Sequence, residues 1–168
     1  MRFLLGLVVG VGLVLAAELL FLTQGGMPVA AREGKPLPLE RFLASRALHV
    51  AIVKDANRPA PIASDGPNLL SGAKIYRENC VVCHGAPGEA RRAPLAEGMF
   101  PRPPKLMPPS KGVTDDPVGE TYWKVKNGIR LTGMPGFGGA LSDTALWQVS
   151  LLLHEAGRLP EPVQASLR

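Results

Sequence analysis

The chain has 168 residues, which gives room for one compact core and an appendage but not for two full domains. Its net charge of +5 is spread along the sequence without a Lys/Arg block, which speaks against nucleic-acid binding. Aromatic residues make up only 5 %, and 19 Gly with 17 Pro leave much of the chain to loops.

The first predicted element is apolar. Phe3 to Leu22 carries a single charge, Glu18, near its end. As a helix, a run of that length spans about 30 Å, the thickness of a hydrocarbon core. Arg2 and the N-terminal amine precede it, so the positive-inside rule places the N-terminus in the cytoplasm and the remainder outside. A cleaved secretory signal is the rival reading. The apolar run exceeds a signal core in length, and the small-residue site Val29-Ala30-Ala31 lies well beyond it, so a retained anchor over residues 1–22 is predicted. Gly6 and Gly10 share the spacing of a small-residue packing face, a weak signal on its own.

Residues 23–38 read as a Gly-, Pro- and Ala-rich tether. A short helix follows over 39–54, with Glu40 in its first turn, Lys54 at its end, and Phe42, Leu43, Ala47 and Val50 at helical spacing. This helix could dock on a partner subunit, lie on lipid headgroups, or pack against the domain that follows. Pro59, Pro61 and Pro67 mark residues 55–67 as linker.

Three helices are predicted between residues 68 and 157. Asn68 is placed as the cap of the first, with Leu69, Gly72 and Tyr76 on one face. Asp116 is placed as the cap of the second, with Pro117 at its first position, Val118, Tyr122 and Val125 on its apolar side, and Gly128 as its stop. Ser142 caps the third, Asp143 favours its N-terminus, Leu146, Trp147, Val149 and Leu153 form its buried side, and Gly157 ends it. No run alternates with strand period, so the fold class is all-α with long loops.

The first of these helices runs into Cys80-Val81-Val82-Cys83-His84, the C-x-x-C-H spacing of covalent haem attachment. Two thiols can add to the two vinyl groups of a haem, and His84 can reach the iron. A structural zinc site would need further ligands, yet these are the only cysteines, and His49 and His154 are isolated. A thioredoxin-like thiol pair belongs after a strand, whereas helix precedes Cys80. A buried porphyrin would also supply the apolar surface that so few aromatic residues provide.

The second axial ligand decides the chemistry. Met99, Met107, Met134, His49 and His154 are the candidates. Met134 stands out because it sits in Thr132-Gly133-Met134-Pro135-Gly136-Phe137-Gly138, where glycines would let the backbone approach a porphyrin and Pro135 stiffens the loop. Met99 and Met107 lie in a Pro-rich stretch suited to covering a haem edge. His154, late in the third helix, is expected at the surface or on the C-terminal carbonyls. With both axial positions filled by protein, the iron is limited to gaining and losing one electron, and a thioether favours Fe(II).

Together, Gly72-x-x-x-Tyr76-x-x-x-Cys80-x-x-Cys83-His84, the Gly133-Met134-Pro135 loop and Trp147 in the last helix resemble a class I cytochrome c, in its bacterial membrane-anchored monohaem form. The resemblance covers roughly residues 68–157. It implies a close crossing of the first and last helices at Gly72, Tyr76 and Trp147. It also implies a proline carbonyl, from Pro101, Pro103 or Pro104, that accepts the proximal His N–H. Trp123 and Arg130 resemble residues that hold haem propionates. The resemblance assigns no role to the anchor, to the 39–54 helix or to the 99–109 loop.

The division that follows is anchor 1–22, linker 23–67 with its short helix, haem domain 68–157 and tail 158–168. The implied activity is one-electron transfer by one heme c held through Cys80 and Cys83 and ligated by His84 and Met134. It would not be an enzyme. It would act outside the cytoplasmic membrane with redox protein partners or within a multi-subunit respiratory or photosynthetic complex. A haem sensor or peroxidase-like enzyme is the alternative if the sixth ligand is labile or absent. Arg91, Arg92, Arg102, Lys105 and Lys111 against Glu89 and Glu97 could steer an acidic partner.

Overall fold

The structure is a computed structural model that describes residues 2–32 and 34–168, so the N-terminal amine lies outside the described residues. It divides between Ala30 and Ala31 into two compact units. The first contains α1 (Arg2–Thr23), an uninterrupted helix long and apolar enough to cross a membrane. None of its described residues is buried.

The second unit holds α2 (Glu40–Ile52), α3 (Gly66–Asn79), α4 (Val81–His84), α5 (Pro94–Glu97), α6 (Val118–Asn127), α7 (Asp143–His154) and α8 (Glu161–Ser166). Among the described residues there is no strand. The architecture is the all-α arrangement with long loops that the sequence predicts.

The crossing of α3 and α7 organises this unit. A Cβ on Gly72 would fall 2.3 Å from the Gln148 carbonyl oxygen and 3.1 Å from Leu152 Cβ. Only glycine lets the two backbones approach this closely. Tyr76 and Trp147 are fully buried beside the crossing, and Gln148 Nε2 donates to Asn68 Oδ1 at 3.0 Å. Leu69, Ala73, Leu146, Val149 and Leu152 fill the rest of the interface. Each large apolar side chain buried there contributes about 1.5–3 kcal/mol.

α6 packs on the other side of α7. The Tyr122 ring stacks on Trp147 with centroids 4.0 Å apart and planes within 10°. The Arg58 guanidinium lies 5.4 Å from the Tyr122 ring and 5.7 Å from the Trp147 ring. The Tyr122 hydroxyl donates to Asp143 and, with Lys126, holds the Asp143 carboxyl below its usual value. A lowered carboxylate pKa adds stability above the ordinary value and loses it as pH falls through the lowered one.

Two predicted helix starts are shifted. Asp65, not Asn68, caps α3, accepting from the Asn68 N–H at 3.0 Å. A capping oxygen sits two or three residues ahead of the N–H it serves, and Pro67 occupies the first turn. The Asn68 side chain instead donates to the Ala63 carbonyl at 3.0 Å. Pro117 occupies the position before α6, while the Asp116 carboxylate pairs with Lys124 at 3.3 Å. Ser142 caps α7 as predicted, accepting from the Ala145 N–H. That helix closes at His154, ahead of Gly157. His154 is half-buried and reaches the Asp116 carbonyl at 3.2 Å rather than its own helix end.

The flanking segments belong to the same body. Residues 158–168, read as a tail, include α8, which packs on α3 with Leu159, Val163 and Leu167 buried. Residues 55–67 are not a free linker either. The Asp55, Ala56 and Arg58 carbonyls press on Gly119 of α6, while Ala60 and Ile62 pack on the core. A Cβ on Gly119 would stand 2.5 Å from the Asp55 oxygen.

Gly72→Ala should therefore force α3 and α7 apart and lower unfolding free energy by about 1–3 kcal/mol. Chemical denaturation of the haem-loaded protein measures this. An unchanged midpoint would show that the crossing tolerates a methyl group.

Candidate haem site

α3 delivers the two thiols. It ends at Cys80, whose carbonyl accepts from the N–H of Cys83 at 3.1 Å and of His84 at 2.8 Å, winding residues 81–84 into one turn. The turn exits through Gly85 at φ 80°, a backbone conformation that glycine adopts without strain. The buried Tyr76 hydroxyl donates to the Gly85 carbonyl at 2.7 Å, pinning the exit to α3. Burial, with the Cys80 and Glu89 charges adding to it, raises the Tyr76 pKa, so this donor keeps its proton.

His84 Nδ1 lies 2.7 Å from the Pro104 carbonyl oxygen. A carbonyl only accepts, so Nδ1 carries the proton and the Nε2 lone pair is left for a metal. This settles which of the three prolines provides the tie. Burial lowers the His84 pKa, opposed by the bond to Pro104, a direction that favours the neutral ring.

The loop from Ala86 to Val113 is stapled by its own cations. Arg92 donates to the Pro103 carbonyl at 2.5 Å, and Lys105 donates to the carbonyls of Glu89 and Ala90. Lys111 pairs with Asp115 at 2.7 Å. Much of the predicted steering patch thus holds the loop that carries Pro104.

Met134 is presented by a loop laid against the end of α6. Phe137 N–H donates to the Val125 carbonyl and Gly138 N–H to that of Lys126, each at 2.9 Å. Ile129 N–H donates to the Met134 carbonyl at 3.2 Å, and the Thr132 hydroxyl accepts from the Met134 N–H at 3.1 Å. Gly128 and Gly136 serve this packing. A Cβ on Gly128, at φ 70°, would lie 2.5 Å from Gly136 N, and one on Gly136 would lie 2.7 Å from the Asn127 oxygen. Gly133 is filled instead by the Met99 methyl.

Cys80, Cys83, His84 and Met134 all line one cavity of about 150 Å³. Leu106, Val125, Ile129, Phe137 and Leu153 make most of its wall apolar. Met99 lines it too, whereas Met107 is buried in the core. His49, His154, Trp123 and Arg130 are not among its lining residues, and Arg102 is. In the sequence Arg102 counts only among the steering cations, and its one signal for the cavity is its place beside the three candidate prolines.

The site suits neither thiol redox chemistry nor a protein-only metal centre. Burial, reinforced by the Cys83 charge, pushes the Cys80 thiol up to about 12, so it is not the exposed thiolate that disulfide exchange requires. Among the described residues, no three His, Cys, Asp or Glu side chains gather as a metal ion would need. An apolar cavity bearing two unpaired thiols, a neutral imidazole and a thioether does fit a haem.

Fold and site together define a class I cytochrome c domain. The chain belongs to the family described as cytochrome c oxidase, cbb3-type, subunit III, whose model matches residues 67–151. Heme c is the cofactor that this family implies. The chain is also similar to thiosulfate dehydrogenase of Stutzerimonas stutzeri (strain A1501), at 29 % identity over 112 residues. The aligned stretch covers 64 % of this chain but 34 % of that protein, so the chain spans about a third of the length of the curated relative it matches.

Gly128→Ala should loosen the Met134 loop, because the new methyl group meets the Gly136 nitrogen and the backbone needs positive φ. Hydrogen exchange at the Phe137 and Gly138 amides of the haem-loaded protein should accelerate at least tenfold. Unchanged protection there would mean that the loop is held some other way.

Proposed function

We propose that the protein is a membrane-tethered, single-haem electron carrier. The observation that carries this reading is the convergence of Cys80, Cys83, His84 and Met134 on one apolar cavity. Cys80 and Cys83 would hold the porphyrin covalently, and His84 and Met134 would take the two axial positions. When bound, heme c supplies a one-electron Fe(III)/Fe(II) couple.

The chain's own residues then set the conditions of that couple. The Pro104 carbonyl orients His84 and makes it more basic. A thioether from Met134 raises the reduction potential relative to a second imidazole. Leu106, Val125, Ile129, Phe137 and Leu153 would exclude water from the site, and Arg102, which lines the cavity, would pair with a propionate. The haem-carrying part corresponds to residues 68–157, with α1 as the anchor and the domain on the extracytoplasmic side.

A second reading is supported by the family description, which names a subunit of a cbb3-type oxidase. The chain would then pass electrons within a membrane complex rather than between separate proteins. The name of the longer relative is that of a dehydrogenase acting on thiosulfate, but the similarity reaches only a third of it. A filled sixth position favours electron transfer over catalysis at the iron.

Met134→Ala should abolish the methionine-to-iron charge-transfer band of the oxidised protein, lower its reduction potential and open the reduced protein to rapid carbon monoxide binding. Retention of the band and the potential would assign the ligand role elsewhere. Rapid carbon monoxide binding by the unaltered protein would favour a sensor or enzyme.

A further inference from the structure

α2 presents two opposed faces. Helical spacing puts Leu48 and Ile52 on one side, and there Ile52 is buried and Leu48 half-buried against the domain. The other side carries Leu39, Phe42, Leu43, Val50 and Val53, which are 71 %, 67 %, 59 %, 56 % and 50 % exposed. Five large apolar side chains exposed on one side of a short helix mark a surface suited to an apolar partner. The end of α2 and the turn after it are held on α6 through Gly119, so the row has a fixed orientation on the haem domain.

Charge and connection indicate what covers this row. Lys35, Arg41, Arg46 and Lys54 lie along the segment against Glu40 and Asp55, and Glu40 is engaged with the Leu37 N–H at 2.7 Å. Arg46 and Lys54 fall within the apolar arc itself, where long cationic side chains can lay their stems on apolar surface and keep their heads at phosphate level. The chain reaches α2 directly from the membrane-spanning candidate α1 through residues 24–39. Even fully extended, a connection of that length reaches no more than about 53–58 Å. Such a tether keeps the row at high effective concentration beside a bilayer surface.

We propose that the outer face of α2 lies in the headgroup region of an anionic phospholipid bilayer. Leu39, Phe42, Leu43, Val50 and Val53 enter the acyl boundary, and Arg46 and Lys54 meet lipid phosphates. The haem domain then lies on the membrane in one orientation, and its electron exchange is confined to a plane close to the bilayer. This inference rests on the reading of α1 as a retained anchor.

The test uses the full haem-loaded chain in nanodiscs of phosphatidylcholine and phosphatidylglycerol at 7:3. Spin labels are placed in separate variants, Val50→Cys on the outer face and Ser45→Cys on the polar side. Co-elution with the nanodisc reports the anchor independently of the labels. Collision of the label at position 50 with a water-soluble nickel chelate should fall at least fivefold below that at position 45, with the reverse order for oxygen. Adding Leu43→Glu should abolish the contrast while leaving co-elution and the haem spectrum unchanged. Equal nickel accessibility at both positions in a co-eluting protein overturns the inference and leaves the face to a protein partner. Dipolar broadening between labels at position 50 overturns it in favour of a second copy. Failure to co-elute sinks the anchor reading itself.

Discussion

Gly72 lies against the Gln148 carbonyl with no space for a side chain, and that backbone contact fixes the relation of α3 to α7. Everything at the candidate site inherits it. α3 ends in the turn that carries Cys80, Cys83 and His84, while α7 supplies Leu153 to the cavity wall and Trp147 as the platform for Tyr122. Tyr122 fixes α6, and the end of α6 carries the loop that holds Met134. A helix crossing therefore sets the spacing of two prospective iron ligands that lie fifty residues apart in sequence.

The parts of this arrangement written in local patterns could be read directly. Cys80, Cys83 and His84 are a contiguous motif, and Gly72, Tyr76 and Trp147 are types that suit a tight crossing. Helix periodicity located α3, α6 and α7. What depended on tertiary placement could not be read. Three prolines could have tied His84, and only the folded loop selects Pro104. Of the glycines around Met134, Gly136 and Gly138 make backbone contact with the end of α6, while Gly133 lines the cavity beside Met99, a division that composition alone does not show. Arg92 and Lys105 looked like a docking patch, yet they bond carbonyls of their own loop. Composition told of charge and flexibility but not of which acceptor each cation would find.

The flanking segments show the same limit. Pro59, Pro61 and Pro67 suggested linker, but the stretch is bound to the core by Ala60, Ile62 and the packing on Gly119. The residues after Gly157 form a further helix that covers α3. Proline reports where regular hydrogen bonding stops, not whether a segment is attached. These additions enlarge the cytochrome domain beyond the family core and give α2 a rigid seat.

The central claim is that His84 and Met134 complete the coordination of one haem. Proton NMR of the reduced protein, with methionine methyl groups labelled and assigned, tests it most directly. A coordinated methionine methyl is displaced far upfield by the porphyrin ring current, and the account predicts one such signal, belonging to Met134. An upfield signal from Met99, which lines the same cavity, or none from any methionine, would contradict it.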